Sequence, residues 1–294
     1  VKELSIKINY YYTMDSKELT VVIVTFKSET KILDCLNSIG DQANIIVVEN
    51  SQNIEFKNDL EKKFSNLKCI LTNENLGYAT ANNIGLKQVK TKYALILNPD
   101  TILDKNAISR FFKSIKKVKD FWLMGPGNHQ MVELEFGGNE QIEVDNLKGF
   151  AIFINLSKFN NEYFDENFFL YFEAYDFAKR LTKKNKKIFI SKKIKTFDIG
   201  SSSHDKNLQH YATLTRCWHY NWSKFYYFKK HFGYFFAFKK SLGILCKLMI
   251  KISKNSIFYN KKNLVYLVAE LRGLLSSMFN LPSKYRPYEK VSKN

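Results

Sequence analysis

The chain is poor in proline and glycine, with 4 and 12 among 294 residues. That excludes the collagenous and low-complexity classes. Its four cysteines (Cys35, Cys69, Cys217 and Cys246) lie far apart, with no Cys-x-x-Cys pair. Neither a disulfide framework nor a zinc site is expected, so a reducing cytoplasm is the expected compartment. No basic-then-apolar N-terminal segment with a small-residue cleavage site is found, so no export signal is expected. No apolar run of about 18 residues marks a bilayer span. The most informative scarcity is acid. Residues 206–294 hold 17 basic and 2 acidic residues (Glu270 and Glu289), and none of the acids falls between Lys206 and Ala269. Residues 1–205 are nearly balanced, 29 basic against 26 acidic. Heavy use of Lys, Asn, Ile, Phe and Tyr accounts for many of the lysines but not for the missing acids. The C-terminal third is therefore expected to face something anionic.

What is present is a foldable chain. The hydrophobic fraction is 45%, enough for one large or two modest domains with a real core. Continuous apolar runs at Leu19–Phe26, Ile45–Val48, Leu67–Leu71 and Tyr93–Leu97 read as buried strands. Helical segments lie between them, as at Thr30–Ile39, where Ile32, Leu33, Leu36 and Ile39 have helical spacing. Such runs predict a parallel sheet covered on both faces, which places ligands at the C-terminal strand ends. Those ends read Phe26-Lys27-Ser28-Glu29, Glu49-Asn50-Ser51, Asn73-Glu74-Asn75-Leu76-Gly77 and Asn98-Pro99-Asp100-Thr101. Four polar strand ends in succession point to a site.

The strings TVVIVTFKSETKILDCLNSI, VVENS, NENLGYATANNIGL and LILNPDT, in that order, resemble the nucleotide-sugar half of family 2 glycosyltransferases. Further on, GFAIFI and FDENFFLYFEAYDFAKRL resemble the acceptor half of the rhamnosyltransferase-like branch. The resemblance covers roughly residues 19–235. It implies an α/β, glycosyltransferase A-type fold with a Rossmann-like mixed sheet over residues 17–205, followed by a helical, basic-aromatic region over 206–294. Residues 1–16 form an extension of unknown purpose, with Met14 a candidate start.

Moving a glycosyl group off a nucleoside diphosphate needs charge neutralisation at the leaving group, a base for the acceptor hydroxyl, and groups that orient the donor. The resemblance gives Mg²⁺ or Mn²⁺ the first task. Asp100 would be the metal ligand, with Asn98 in place of the usual first Asp and Asp198 where the branch usually has His. Asp is a competent ligand for hard cations; on spacing alone, Asp100 beside Pro99 also suits a turn or helix cap. Thr25, Phe26, Glu29 and Glu49 would line the nucleoside pocket. In the third loop Asn75, Gly77, Asn82 and Asn83 match the family string. Gly77 would let the backbone approach the ligand or end a turn at positive φ. Asn82 and Asn83, poor helix formers inside a predicted helix, would bond the donor or a neighbouring loop.

On the acceptor side Glu173 and Asp176 share a helix face. Acids in a first helical turn also interact favourably with the helix dipole. The second acid of the usual pair is here Ala174. The resemblance then leaves two readings: Glu173 is the base, with Asp176 next in line, or the chain lacks a base and is a non-catalytic membrane assembly partner. The expected reaction is inverting transfer to a hydroxyl of a lipid-linked cell-surface glycan. The donor implied by the branch is dTDP-L-rhamnose, with a UDP-hexose the alternative.

The tail from Tyr211 to Phe238 interleaves aromatics with lysines. Ile244, Leu245, Leu248, Met249 and Ile252 then form an apolar stripe opposite Lys247, Lys251 and Lys254. This pattern predicts a helix lying in an anionic membrane surface, apolar side down, at the cytoplasmic face of the cell membrane. A second stripe from Leu264 to Met278 either continues that surface or packs inward. Basic-aromatic sequence also describes a single-stranded nucleic-acid surface, but that reading leaves the strand-end motifs unexplained, so no nucleic-acid partner is expected.

Overall fold

The computed structural model describes residues 18–127, 138–160, 162–198 and 209–287. The N-terminal extension, the Gly-Ser run after Asp198 and His204 lie outside the described residues. Two compact units are present. One comprises residues up to Leu76, Thr80–Phe164 and Ala174–Ser203; the other comprises Gly77–Ala79, Asp165–Glu173 and the chain from His204 onward.

The first unit is built on an eight-stranded mixed sheet of order β3-β2-β1-β4-β8-β6-β9-β7. Strands β1 (Leu19–Thr25), β2 (Asn44–Glu49), β3 (Leu67–Leu71) and β4 (Tyr93–Leu97) run parallel, close to the predicted ranges. All seven residues of β1 and all five of β4 are buried, which is why these runs are apolar throughout rather than alternating. Strand β8 (Ala151–Asn155) lies antiparallel to β4 and to β6 (Phe121–Pro126), while β9 (Lys187–Ser191) lies parallel to β6. Edge strand β7 (Gln141–Glu143) completes the sheet.

Helices cover the sheet by burying one stripe each. In α1 (Ile32–Ile39), Ile32, Cys35, Leu36 and Ile39 are buried, and the helix stops at Gly40, whose φ is 55°. Helix α2 (Ile54–Lys63) is capped by Asn53, whose side chain accepts from the Phe56 amide at 3.0 Å. Helix α3 (Tyr78–Gln88) carries Asn82 and Asn83 within it, as predicted. In α4 (Ala107–Ile115), Phe111 stacks on Phe153 of β8 with ring centroids 4.1 Å apart. Helix α5 (Glu173–Thr182) precedes β9. A short separate ladder joins β5 (Thr101–Leu103) to β10 (Thr196–Asp198).

The second unit is helical: α6 (Gln209–Phe232), α7 (Tyr234–Ile257) and α8 (Lys261–Met278). Its core is where the sequence reading needs correction. Leu248 of the predicted membrane stripe is 3% exposed, and Ile244 and Leu245 pack with it against Phe225, Leu274 and Met278. Trp218, Trp222 and Phe225, in the aromatic stretch expected at the membrane surface, are also buried. Helical periodicity identifies an apolar face but not what covers it, and here the face is covered by α6 and α8. The stripe from Leu264 to Met278 packs inward likewise. Gly273 explains the close approach of α8 to α6, because a Cβ there would lie 2.1 Å from the Trp218 carbonyl oxygen. Among the described residues no helix is long and apolar enough to cross a membrane.

Candidate active site

The parallel strands bring several of the expected donor residues to one edge of the sheet. Register pairs Thr25 with Glu49, at the ends of β1 and β2. Glu49 is fully buried, and both its oxygens are engaged: Thr25 Oγ1 donates to Oε2 and Ser51 Oγ to Oε1, each at 2.5 Å. Burial pushes its carboxyl above the usual range; the two hydroxyl bonds oppose this, and nearby Glu29 adds to it. Glu29 in turn accepts from Asn53 Nδ2 at 3.0 Å. Phe26 is partly buried beside them.

The next loop is tied on through Asn50. Its Nδ2 donates to Asn75 Oδ1 at 3.0 Å, and its Oδ1 accepts from the Leu76 amide at 2.9 Å and from Thr72 Oγ1 at 3.0 Å. Asn50, Ser51 and Thr72 were not among the expected site residues. Asn50 and Ser51 lie in the same strand-end string as Glu49, but which loop polar groups pair across 20 to 30 residues is set by the sheet register.

The loop after β4 places Asn98, Pro99 and Asp100 at this same strand-end edge. The Asn98 amide donates to the Phe150 carbonyl at 2.8 Å, and the Asn98 carbonyl accepts from the Thr101 amide at 3.1 Å. Asp100 lies near enough to buried Cys35 to help raise that thiol's pKa, after burial itself. The β5–β10 ladder pairs Thr101 with Asp198, so the backbones of the two expected metal ligands are brought together from positions about 100 residues apart. Among the described residues no group of three or more His, Cys, Asp or Glu side chains forms a ready-made metal cage. Two Asp side chains suit a hard cation that keeps waters and takes its other oxygens from a diphosphate, which is the habit of Mg²⁺.

Asn83 bonds a neighbouring loop, one of its two expected roles. Its side chain mimics a backbone pair, donating to the Phe164 carbonyl at 2.9 Å and accepting from the Phe164 amide at 3.0 Å. Asn82 is fully buried. Asp176 is also buried, and its Oδ2 accepts from Arg180 Nε at 2.8 Å; Arg180 additionally donates to the Tyr163 carbonyl. That ion pair occupies Asp176 structurally.

In the helical unit, Gly77 holds φ 85°, one of its two expected roles, and presses against Phe169. The Tyr78 amide donates to the Phe169 carbonyl at 2.7 Å. The segment Asp165–Glu173 is seated on α6. Asp165 accepts from Tyr226 Oη at 3.0 Å and Lys230 Nζ at 2.7 Å, and Ser223 Oγ donates to the Leu170 carbonyl at 2.8 Å. Burial works against the Asp165 carboxylate, yet Lys230 and Asn167 hold its pKa below the usual range. Tyr171 and Phe172 both take left-handed backbone angles, φ 70° and 65°, immediately before Glu173 begins α5. Consecutive bulky residues in that region are strained and mark over-determined positions. Glu173 is buried.

The C-terminal segment clamps this loop, a contact no motif announced. Arg286 lies over the Phe169 ring, 3.3 Å from its centroid, and the His219 ring packs on the same Phe169 at 4.4 Å. His219 is bonded to Ser283 Oγ and the Tyr285 carbonyl, each at 2.9 Å. The aromatic density of α6 thus scaffolds the segment leading to Glu173.

A family model described as "Glycosyl transferase family 2" matches residues 20–232. A curated relative, the "Low-salt glycan biosynthesis hexosyltransferase Agl10" of Haloferax volcanii, is 25% identical over 57% of this chain and 62% of its own length. The "Teichoic acid poly(glycerol phosphate) polymerase" of Staphylococcus epidermidis is 30% identical over 33% of this chain and 14% of its own length. The chain therefore spans less than two thirds of either relative. Among solved structures, S. aureus TarS 1-349 superimposes with TM-score 0.51 and 16% identity, covering 90% of this chain and 92% of that one. A second structure of that protein is a complex with UDP and has the same TM-score and coverage. This likeness is one of fold: a mixed α/β sheet domain with C-terminal helices.

Proposed function

Because the chain belongs to glycosyl transferase family 2, we propose that it moves a hexosyl unit from a nucleoside-diphosphate donor to a hydroxyl of a glycan, with inversion. The observation that carries this is the strand-end edge, where the Thr25–Glu49 and Asn50–Asn75 pairs share one side of the sheet with Asp100. Open α/β sheets bind nucleotides at such edges. A UDP-hexose is the preferred donor, supported by a relative named as a hexosyltransferase and a fold neighbour solved with UDP. In this reading Asp100 and Asp198, with Asn98, would hold Mg²⁺ or Mn²⁺. The metal would supply charge neutralisation at the leaving group.

Glu173 takes the proton of the acceptor hydroxyl as its oxygen bonds to the anomeric carbon and the bond to the diphosphate breaks. The Asp176–Arg180 ion pair supports Glu173 over Asp176 as the base. A donor panel tests the function. The protein with Mg²⁺ or Mn²⁺ is offered UDP-hexoses and dTDP-L-rhamnose together with a membrane extract as acceptor, and nucleotide release is followed. Release from a UDP-hexose is expected. Release from dTDP-L-rhamnose alone would move the assignment to that donor, and none from any donor would point to the non-catalytic alternative.

The acceptor we propose is lipid-linked, at an anionic membrane surface. Of the predicted stripe Met249 stays exposed, and the rest of the supporting surface lies outside that stripe. Ile257, Phe258 and Tyr259, at the turn between α7 and α8, are 71, 79 and 84% exposed. Phe235, Met249 and Ile250 of α7 are exposed as well. Lys239, Lys240, Lys247, Lys251, Lys254, Lys261 and Lys262 accompany them without an acid anywhere in that stretch. Each lysine near an anionic surface contributes about 1 kcal/mol, and the apolar side chains add a salt-resistant part.

A further inference from the structure

Asn50 joins the ends of three strands in the first unit. It follows β2 directly and is 2% exposed, and its backbone amide donates to the Thr25 carbonyl at the end of β1 at 2.8 Å. On its other side the loop after β3 folds back onto the end of β2. The Thr72 amide donates to the Glu49 carbonyl at 3.1 Å, and the Asn73 amide to the Ser51 carbonyl at 3.2 Å. Asn73 takes φ 66° there, in the left-handed region that Asn tolerates better than most residues.

The side-chain bonds of Asn50 have a fixed polarity. A backbone N–H can only donate, and that of Leu76 donates to Asn50 Oδ1 at 2.9 Å. This contact settles which end of the Asn50 amide is oxygen and turns Nδ2 toward Asn75. The Asn75 atom that meets Nδ2 at 3.0 Å is therefore the acceptor, Oδ1. Half-buried Asn75 is held with its own Nδ2 on the side away from Asn50. Polarity thus passes from the Leu76 backbone through Asn50 to Asn75. A carboxylate in place of Asn50 would keep the acceptor for Leu76 but would have no donor for Asn75.

We propose that Asn50 is a positioning residue for the donor substrate. It fixes the Asn75 amide so that an N–H, and not an oxygen, faces the nucleoside, whose base and ribose carry carbonyl and hydroxyl oxygens. This rests on the proposed function, with Asn75 as a donor contact, and adds the residue that sets the polarity of that contact. Buried polar networks with every member paired hold a single arrangement, which is what such a role requires.

The test is a double-mutant cycle in the full chain with Mg²⁺, using UDP or dTDP, whichever the wild type binds more tightly. Asn50→Asp keeps the side-chain shape but reverses the polarity seen by Asn75, whose amide then turns over. It should weaken nucleotide binding by about tenfold or more, and Asn50→Ala by less. In an Asn75→Ala background neither change should add more than about twofold. The KM for the sugar donor should rise with the nucleotide Kd, while kcat falls less. A packing role predicts the reverse order, because Ala leaves a void and Asp does not. Repulsion of the diphosphate by the new carboxylate predicts a loss that persists without Asn75. Either result, or unchanged affinity in both Asn50 variants, would overturn the proposal and leave the proposed function standing. If Asn50→Asp does not fold, Asn50→Ala carries the cycle, and a loss that persists in the Asn75→Ala background overturns the proposal. Wild-type protein that binds neither nucleotide would overturn both.

Discussion

Gly77 and Phe169 are in backbone contact: a Cβ on Gly77 would stand 2.6 Å from the Phe169 carbonyl oxygen and 2.9 Å from its Cα. The glycine also holds φ at 85°, where an L side chain is strained. Gly77→Ala combines strain with a clash against backbone that cannot swing aside. A loss of about 2 kcal/mol or more in urea unfolding is expected, with turnover falling through displacement of the segment leading to Glu173. Unchanged stability would mean that the two segments separate at little cost.

Much of the fold was legible because the signal was local. The runs at Leu67–Leu71 and Tyr93–Leu97 became β3 and β4 at the residues expected. The strand-end loops followed from the rule that parallel sheets present their C-terminal ends. Long-range pairing was not legible. Nothing near Asn83 announces Phe164 as its partner, nothing near Phe169 announces Arg286, and Leu248 looked the same in sequence whether lipid or Leu274 was to cover it. Gly77 carried the family pattern correctly, but the atom it makes room for belongs to the chain itself.

The pH dependence of stability has a specific contributor in His219. Burial pushes its imidazole down to about 3; the Tyr285 carbonyl opposes this and the Arg286 charge adds to it. The unfolded chain takes up this proton near the ordinary value of 6.5, whereas the folded chain refuses it. Stability is therefore lost as pH falls from about 6.5 toward 3, at up to about 1.4 kcal/mol per pH unit from this group. His219→Gln should flatten that slope. Urea unfolding of both proteins at several pH values between about 6.5 and 5 reads the difference, and parallel curves would remove His219 from the account.

Membrane binding separates the two faces of α7. Phe258→Ser together with Tyr259→Ser should reduce sedimentation with anionic vesicles, at high salt above all, because these side chains supply the salt-resistant part. Leu248→Ala should instead lower stability by about 2–5 kcal/mol and leave vesicle binding of the folded protein intact. Equal sedimentation of the Ser variant and wild type would place the contact elsewhere.

Ala174 offers a test of the two readings of the acceptor side. Its side chain is 4% exposed, so Ala174→Asp introduces a carboxyl into a buried position. If Glu173 is the base, this variant loses stability and gains no turnover. A rise in transfer above wild type would show that the missing acid was the base.

The most direct measurement is single-turnover transfer by Glu173→Gln beside its affinity for UDP-hexose with Mg²⁺ or Mn²⁺. Loss of a general base costs about 10²–10⁴-fold. Transfer should fall by that order with donor affinity unchanged, whereas Asp100→Ala should lose metal-dependent donor binding instead. Near-normal turnover in Glu173→Gln would contradict the central assignment.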